Sequence, residues 1–376
     1  MTDRRRERMA GAKRIVVKIG STLVSSAKHG LNEKRIGDLA REVTDLKRGG
    51  REIVIVSSGA IISGMEKLGL SERPKSIPIK QAAAAVGQSR LMWVYEKTFA
   101  AFGEKVAQIL LTHDDLSNRG RFLNARNTLM ALLQFGVIPI INENDTVAVE
   151  ELKFGDNDRL AGMVAHLLDA NLLVILSDVD GLFTKDPRLF SDAVPIPLVR
   201  EVTAAVLAHA GGASTEEGTG GMYYKMLTAK RVAEYGVGTL ILNGTVPSIL
   251  TRAFGDDEIG TEILPAVARL SSRKHWIAYT LKAKGRLHLD AGAVDAVKRR
   301  GKSLLPSGVI RVDGKFDPGD AVSCLDAEGK EFAKGLVNFS SIEIDKIKRA
   351  KTAQIREILG RKDYDEIIHR DNLVLV

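Results

Sequence analysis

The chain has 376 residues, of which 44% are hydrophobic and 27% charged, a composition typical of a soluble globular protein with two or three domains. No run of 18 apolar residues occurs, which excludes a transmembrane helix, and the arginine-rich start has no apolar stretch behind it for a secretory signal. The single cysteine, Cys324, excludes an intramolecular disulfide and is expected to be a packed strand residue. These features predict a cytoplasmic location.

The net charge of +8 is unevenly distributed. Residues 1–14 carry six basic and two acidic side chains, and residues 274–376 carry 20 basic and 15 acidic ones. Any attraction for nucleic acid would therefore lie in these two regions. A solvated surface with a small lysine surplus is the simpler interpretation.

The first two thirds of the chain alternate between apolar strands and amphipathic helices. Strands are predicted at 13–19, 52–56, 106–111, 137–141, 172–176 and 239–242. Helices are predicted at about 32–49, 79–102, 117–134, 160–168 and 222–235. Continuous apolar strands separated by helices predict an α/β fold, with a mostly parallel open sheet sandwiched by helices.

The α/β pattern ends near Ile263, and from His275 the sequence shows short alternating runs separated by glycine turns. This pattern predicts a small, antiparallel, barrel-like β domain with one helix near 291–300. We expect the chain to be organised as a flexible basic arm (1–12), an α/β domain (13–265), a linker (266–274), the small β domain (275–353) and a helical tail (354–376).

Four predicted strands end in polar or small residues. The stretches concerned are Lys18–Gly20, Ser57–Gly59, Asn142–Asp145 and Ser177–Asp178. The carboxyl ends of parallel strands meet at one edge of an open sheet, where such proteins bind their ligands. Lys18 is the penultimate residue of a buried strand, where an ammonium group requires a partner. We therefore favour a role for Lys18 in binding phosphate over that of a surface charge.

The glycine-rich loop GTGGMYYK, residues 218–225, places three glycines before a helix and a lysine, Lys225, in its first turn. It is neither a Walker A loop nor a GxGxxG motif. Alone it is as consistent with a surface turn as with a phosphate site. Together with Lys18 and Asp178 it predicts a site for phosphoryl transfer.

Other chemistries lack their residues. The seven histidines show no metal-ligand spacing, and no Gly-x-Ser-x-Gly motif occurs. The Asp156–Asp158 run lacks the glycine and the distal glutamate of a calcium-binding EF-hand loop. No protein-held metal is therefore predicted.

Taken in order, several of these segments resemble the amino acid kinase family, and within it the branch that phosphorylates L-glutamate. The small β domain, with SLLPSGV and FDPGDAV, resembles a PUA domain. The resemblance to the kinases rests on VVKIGSTLV (16–24), IVIVSSGAI (53–61), KQAAAAVGQSRLM (80–92), GRFLNARNTL (120–129), PIINENDTVA (139–148), FGDNDRLA (154–161), LSDVDGLFTKDPR (176–188) and GTGGMYYK.

The resemblance implies ATP-dependent phosphorylation of the γ-carboxylate of L-glutamate, the first step of proline biosynthesis. Lys18 and Lys225 would neutralise the transferring phosphoryl group, and Asp178 would orient the two lysines. ATP, with Mg²⁺ bound mainly through its phosphates, would be the cofactor. The implied ATP contacts are Lys18, Ser177, Asp178, Thr219, Gly220, Gly221, Met222, Tyr223, Tyr224 and Lys225.

The implied glutamate ligands are Ser58, Asp145 and Asn157. We expect Asp145 to pair with the substrate ammonium and the Asn157 amide to suit a carboxylate. Tyr223 and Tyr224 depart from the family, which usually has a small residue and a threonine there, so individual contacts of that loop are open. Proline as a feedback inhibitor, a homo-oligomer (dimer or tetramer) and transfer of the product to glutamate-5-semialdehyde dehydrogenase are further implications.

Two alternatives remain open at this stage. A sister kinase would act on N-acetylglutamate, aspartate, carbamate or UMP, but an acetylated amine would have no use for Asp145. An RNA-binding protein acting through the PUA domain would explain the basic excess but not the α/β domain.

Overall fold

The computed structural model describes residues 2–26, 30–148, 157–211, 221–255, 257–266 and 283–376. The chain forms two compact units, Met1–Val267 and Ala268–Val376. No helix in the described ranges is both long and apolar enough to cross a membrane.

The first unit contains a large sheet and a small two-stranded ribbon. Its strands are β1 (Arg14–Ile19), β2 (Ser25–Ser26), β3 (Gly30–Leu31), β4 (Glu52–Ser57), β5 (Val106–Leu111), β6 (Ile138–Glu143), β7 (Leu172–Ser177), β8 (Leu198–Val199), β9 (Gly238–Asn243) and β10 (Thr261–Ile263). The ribbon pairs β2 with β3, and the large sheet has the order β5-β6-β4-β1-β7-β9-β10-β8.

Every pairing from β5 to β9 in the large sheet is parallel, and β10 joins β9 antiparallel. Parallel neighbours require crossover connections, which the intervening helices supply. The predicted α/β class is confirmed. Because β4 and β7 flank β1, the ends of all three strands meet at the middle of one sheet edge.

The helices of the first unit cover both faces of this sheet. They are α1 (Thr2–Gly11), α2 (Ser21–Val24), α3 (Glu33–Arg48), α4 (Ala60–Leu68), α5 (Ile77–Ala100), α6 (His113–Ser117), α7 (Arg119–Gln134), α8 (Asp158–Leu167), α9 (Ala204–His209), α10 (Met222–Glu234) and α11 (Ile249–Phe254).

Side-chain caps set several helix starts. Asn32 caps α3 by accepting from the Arg35 N–H at 3.0 Å. The helix predicted near 117–134 is α7, and the short helix α6 precedes it, started by a capping box that Thr112 and Asp115 form. Asn118 then has extended backbone and caps α7.

Two hydrophobic layers sandwich the sheet, and strand alternation assigns residues to them. Ile15, Val17 and Ile19 of β1 pack with residues of α3 and α5. Val16 packs on the opposite face, with residues of α7, α8 and α10. The next residue of the second set is Lys18, which therefore lies on the α8–α10 face.

The amino terminus differs from the flexible arm that the sequence predicted. Residues 2–11 form α1, whose Met9 is buried. Arg8 makes two hydrogen bonds to the Glu262 carboxylate, at 2.6 and 2.7 Å, and Arg5 donates to the Ile259 carbonyl at 2.6 Å. These charged side chains are used in docking the helix, so the prediction of a free arm is wrong.

The second unit is a five-stranded sheet with the order β12-β11-β13-β14-β15. Its pairings are antiparallel except β11 with β13, which are parallel, so the predicted purely antiparallel arrangement needs that correction. Its elements are β11 (Gly285–Leu289), α12 (Ala291–Lys298), β12 (Val309–Gly314), β13 (Ala321–Leu325), β14 (Glu331–Leu336), α13 (Ser341–Ile347), α14 (Ile355–Leu359) and β15 (Leu373–Leu375).

The carboxyl terminus is not the helical tail that was predicted over 354–376. Only α14 is α-helical there, and β15 completes the sheet by pairing with β14. Ile355 and Ile368 are fully buried in the core of this unit, which explains why the segment folds onto it. Cys324 is also in this core, and burial raises the pKa of its thiol to about 12.

Candidate active site

A buried lysine at the end of β1 is the first component of the site. Lys18 is 3% exposed and points to the α8–α10 face. At so buried a position its ammonium group needs an anionic neighbour. That neighbour is Asp158, whose Oδ1 lies 2.6 Å from Lys18 Nζ.

Asp158 is the first residue of α8, and it also binds a second lysine. Lys225 Nζ, from the first turn of α10, donates to Asp158 Oδ2 at 2.8 Å. All three side chains are buried, with 2–6% of their surface exposed. A carboxylate at a helix amino terminus is also stabilised by the helix dipole. Asp158 therefore holds the ammonium groups of two distant segments side by side.

The close approach of α8 and α10 depends on a glycine. A Cβ placed on Gly162 would lie 2.8 Å from Thr228 Cγ2 and 3.2 Å from Val232 Cγ1. A larger residue would require the Thr228 side chain or the helices themselves to shift. Because Asp158 lies one turn before Gly162, this contact controls the distance between its carboxylate and Lys225.

The opposite side of the same sheet edge carries a chain of amide groups. Asn142 Nδ2 donates to Gln88 Oε1 at 2.8 Å. Asn157 Nδ2 donates to Asn142 Oδ1 at 2.8 Å and to the Ser57 carbonyl at 2.5 Å. Asn157, immediately before Asp158, thus connects the ends of β4 and β6 to the start of α8.

One face of α5 supports this chain. Gln81, Gln88 and Tyr95 recur every seven residues, so they lie on one side of the helix. The buried Tyr95 hydroxyl shares a 2.8 Å hydrogen bond with Ser57 Oγ. Burial raises the pKa of Tyr95 to about 12, although its bond to Ser57 acts in the other direction.

The turn after β4 presents backbone amides. Gly59 has φ +106°, and a Cβ there would approach Val24 and Ser25 within 3.0–3.2 Å, so this sharp entry to α4 requires glycine. The first N–H groups of α4 have no partner within the helix, as at any helix start. Ser58, partly exposed, lies directly before them.

Asp145 lies in the turn that follows β6 and is partly exposed. It stands three residues beyond Asn142, at the same edge of the sheet. In this turn the Thr146 hydroxyl donates to Asn144 Oδ1 at 2.6 Å. The residues predicted to bind a ligand at the end of β6 therefore lie in a tight turn shortly after Asn142 of the amide chain.

The residues predicted to contact ATP lie partly at the end of β7. Ser177 is buried and its hydroxyl donates to Asp178 Oδ1 at 3.2 Å, whereas Asp178 is exposed. Gly221 precedes α10, and Met222 begins it. The rings of Tyr223 and Tyr224 meet edge to face, 5.8 Å apart. Thr219 and Gly220 lie outside the described residues.

Two predicted roles differ from the contacts in the structure. The sequence assigned the orientation of both lysines to Asp178, but the carboxylate that contacts Lys18 and Lys225 is that of Asp158. It also assigned Asn157 to a carboxylate ligand. Both Nδ2 hydrogens of Asn157 are donated within the protein, so only its oxygen remains for a ligand, and an oxygen cannot donate to a carboxylate.

Sequence reasoning gave no specific role to four side chains of the site, although it counted Asn142 among the polar strand ends. They are Gln88, Tyr95, Asn142 and Asp158. Two signals were available, namely the polar residues at seven-residue spacing in an alanine-rich helix and an acidic residue at the expected start of α8. In the described part of the chain, no three His, Cys, Asp or Glu side chains are grouped closely enough to hold a metal ion.

Comparison with known proteins defines the class. The model of the "Amino acid kinase family" matches residues 13–243, and that of the "PUA domain" matches residues 285–359. Among solved structures, UMP kinase from Bacillus anthracis aligns with a TM-score of 0.47 and 16% identity, over 68% of this chain and 97% of that chain.

Curated relatives refine the class. Glutamate 5-kinase of Geobacter sulfurreducens is 54% identical over 98% of this chain and 99% of its own. The enzymes of the same name from Geobacter metallireducens and Caldanaerobacter subterraneus are 55% and 50% identical, over 97% and 96% of this chain and 98% of theirs. The chain belongs to the amino acid kinase family, in the branch formed by these glutamate 5-kinases.

Proposed function

We propose that the protein transfers the terminal phosphoryl group of ATP to the γ-carboxylate of L-glutamate, which yields L-glutamyl 5-phosphate and ADP in the first step of proline biosynthesis. The observation that carries the proposal is the buried Asp158 carboxylate shared by Lys18 and Lys225. The full-length similarity to glutamate 5-kinases supports the choice of acceptor over N-acetylglutamate, aspartate, carbamate or UMP.

Phosphoryl transfer needs positive charge and exact alignment more than covalent help from the protein. Lys18 and Lys225 each contact one oxygen of the same carboxylate, so they are placed to bind the oxygens of one phosphoryl group. The amino terminus of α10 adds N–H groups favourable to the same anion. Mg²⁺ prefers phosphate oxygens and water, so ATP would supply most of its ligands.

The acceptor would bind on the amide side of the edge. Asp145 would pair with the substrate ammonium, and Ser58 with the first amides of α4 would bind a carboxylate. Ser177, Asp178 and the residues from Thr219 to Tyr224 are proposed for ATP. We further propose a cytoplasmic homo-oligomer that is inhibited by proline and passes its unstable acyl phosphate to glutamate-5-semialdehyde dehydrogenase.

The test is an acceptor panel in which ADP release is measured and the acyl phosphate is trapped with hydroxylamine. L-Glutamate should give the highest turnover, and higher turnover with N-acetylglutamate or UMP would contradict the proposal. Lys18→Ala should mainly lower kcat, whereas Asp145→Ala should mainly raise the KM for L-glutamate. The reverse pattern would show that the two roles are misassigned.

The second unit offers a second candidate function, RNA binding, because the PUA domain matches it and basic residues exceed acidic ones there. Salt-dependent binding of a structured RNA by the full chain would support this activity. Equal kinase activity with and without RNA would show that it is separate from catalysis.

A further inference from the structure

Gln88 occupies one end of the amide chain, yet no motif or proposed ligand contact assigns it a role. We propose that Gln88 is a positioning residue for substrate specificity: through Asn142 it holds Asn157 so that Asn157 presents its carbonyl oxygen to the ammonium group of the acceptor amino acid. This inference rests on the proposed function and concerns the acceptor half of that site.

The orientation of Asn142 follows from the backbone. The Glu143 N–H donates to Asn142 Oδ1 at 2.9 Å, and a backbone N–H can only donate. The oxygen of Asn142 is thereby identified, so its nitrogen faces Gln88. Gln88 therefore accepts this hydrogen bond through its own oxygen, Oε1, at 2.8 Å.

The orientation of Asn157 is fixed by the same logic from the other end. The Ser57 carbonyl can only accept, so the Asn157 group that lies 2.5 Å from it is the nitrogen. Asn142 Oδ1 takes the second hydrogen. With both hydrogens used, Asn157 has one group left to offer a ligand, which is an acceptor.

An acceptor at this position suits a donor on the substrate. Of the groups on a free amino acid, only the ammonium donates, and the Asp145 turn lies at the same edge. An amine that is acylated has one N–H and no charge, and a dicarboxylate without an amine has no donor there. The amide chain therefore favours acceptors that carry a free amino group.

Gln88 supplies a hydrogen bond that connects Asn142 to α5. Asn142 lies on the same face as Ile138 and Ile140, which pack on α5, so its side chain is positioned between that helix and Asn157. Loss of Gln88 Oε1 would leave a part-buried N–H group without its acceptor and allow the Asn142 side chain to turn. Asn157, which depends on Asn142 Oδ1, would move with it.

The test compares two ligands on matched variants. L-Glutamate and glutarate are both five-carbon dicarboxylates, but glutarate lacks the ammonium group. Their dissociation constants are measured by calorimetry, together with kcat for L-glutamate. Gln88→Met removes the acceptor at similar length, Gln88→Asn withdraws it by one methylene, and Gln88→Glu retains an acceptor oxygen. Ser89→Ala, at an exposed neighbour, is the control.

We expect Gln88→Met and Gln88→Asn to reduce the preference for L-glutamate over glutarate about ten- to a hundredfold, the range for a hydrogen bond to a charged group. Gln88→Glu and Ser89→Ala should retain the preference within about threefold. If Gln88→Met weakens both ligands equally, or Gln88→Glu loses the preference as fully as Gln88→Met, the proposal is overturned. Should Gln88→Met not fold, Gln88→Asn and Gln88→Glu decide it. A wild-type protein inactive on L-glutamate would instead refute the proposed function.

Discussion

Replacing Asp158 by asparagine removes one negative charge between two buried lysines at nearly constant volume. The side chains of Asp158, Lys18 and Lys225 are 2%, 4% and 6% exposed, so water cannot replace the lost carboxylate. Removing one partner of a buried ion pair costs about 3–5 kcal/mol. For a unit of this size, that corresponds to a fall in Tm on the order of 10 °C.

Activity should fall as well, because the two ammonium groups would no longer be held together. We expect Asp158→Asn to lower kcat by about 10²–10³-fold, the usual effect of losing one preorganised charge-stabilising group. The KM for L-glutamate should change little, since the amide side of the site is untouched. Thermal melting and the hydroxylamine-trapping assay measure the two effects on the same protein sample.

The matched control is Asp178→Asn, which tests the role that the sequence first gave to Asp178. Asp178 is exposed and is hydrogen-bonded to its neighbour Ser177, so its substitution should change stability by less than about 0.5 kcal/mol. The reasoning would be refuted if Asp158→Asn kept the wild-type Tm and kcat. A large loss of stability in Asp178→Asn, but not in Asp158→Asn, would show that Asp178 is the partner of the lysines.

Two further substitutions test the surroundings of the site. Gly162→Ala should destabilise the protein by about 1–3 kcal/mol and lower kcat more than it raises KM, because the added methyl overlaps Thr228 and separates α8 from α10; unchanged melting and kinetics would contradict this. Tyr95→Phe should cost about 1 kcal/mol at pH 7 by removing the bond to Ser57. The buried phenol keeps its proton in the folded state up to a pKa of about 12, so the wild-type loses about 2–3 kcal/mol of stability as pH rises from about 10 to about 12. Denaturant titrations over this pH range should show that Tyr95→Phe lacks this loss of stability. An equal decrease in the free energy of unfolding of the two proteins with rising pH would contradict the prediction.

Much of the architecture could be predicted because it depends on local patterns. The strands of the large sheet are apolar runs, and their polar ends were expected to meet at one edge. Lys18 was expected to need a buried partner, which the structure supplies. The identity of that partner could not be read from the sequence, because Asp178 directly follows an apolar strand, whereas Asp158 stands well beyond the end of β6, at the start of α8.

Segments whose structure depends on distant contacts were mispredicted. The sequence of α1 is typical of a solvated arginine-rich arm, because Glu262, which binds Arg8 in the structure, lies more than 250 residues away. The mixed-charge end of the chain was predicted to be helical, although its last residues pair with β14. Gln88 was overlooked for the same reason, since its proposed role depends on the hydrogen bond from Asn142, which is distant in sequence.

The two halves of the site are joined by two consecutive residues. Asn157 turns toward the strand ends on the α5 side, and Asp158 turns toward the lysines on the other side. Both conformations are imposed by a single helix start, so a shift of α8 would displace the acceptor contact and the phosphoryl contact together. Gln88 is connected to that helix start through the amide chain, and Gly162 restrains the helix through its packing on α10. If the proposed roles hold, α8 therefore aligns the acceptor contact and the phosphoryl contact with the groups at the strand ends. Substitutions that move this helix should lower kcat even when the affinities for both substrates remain.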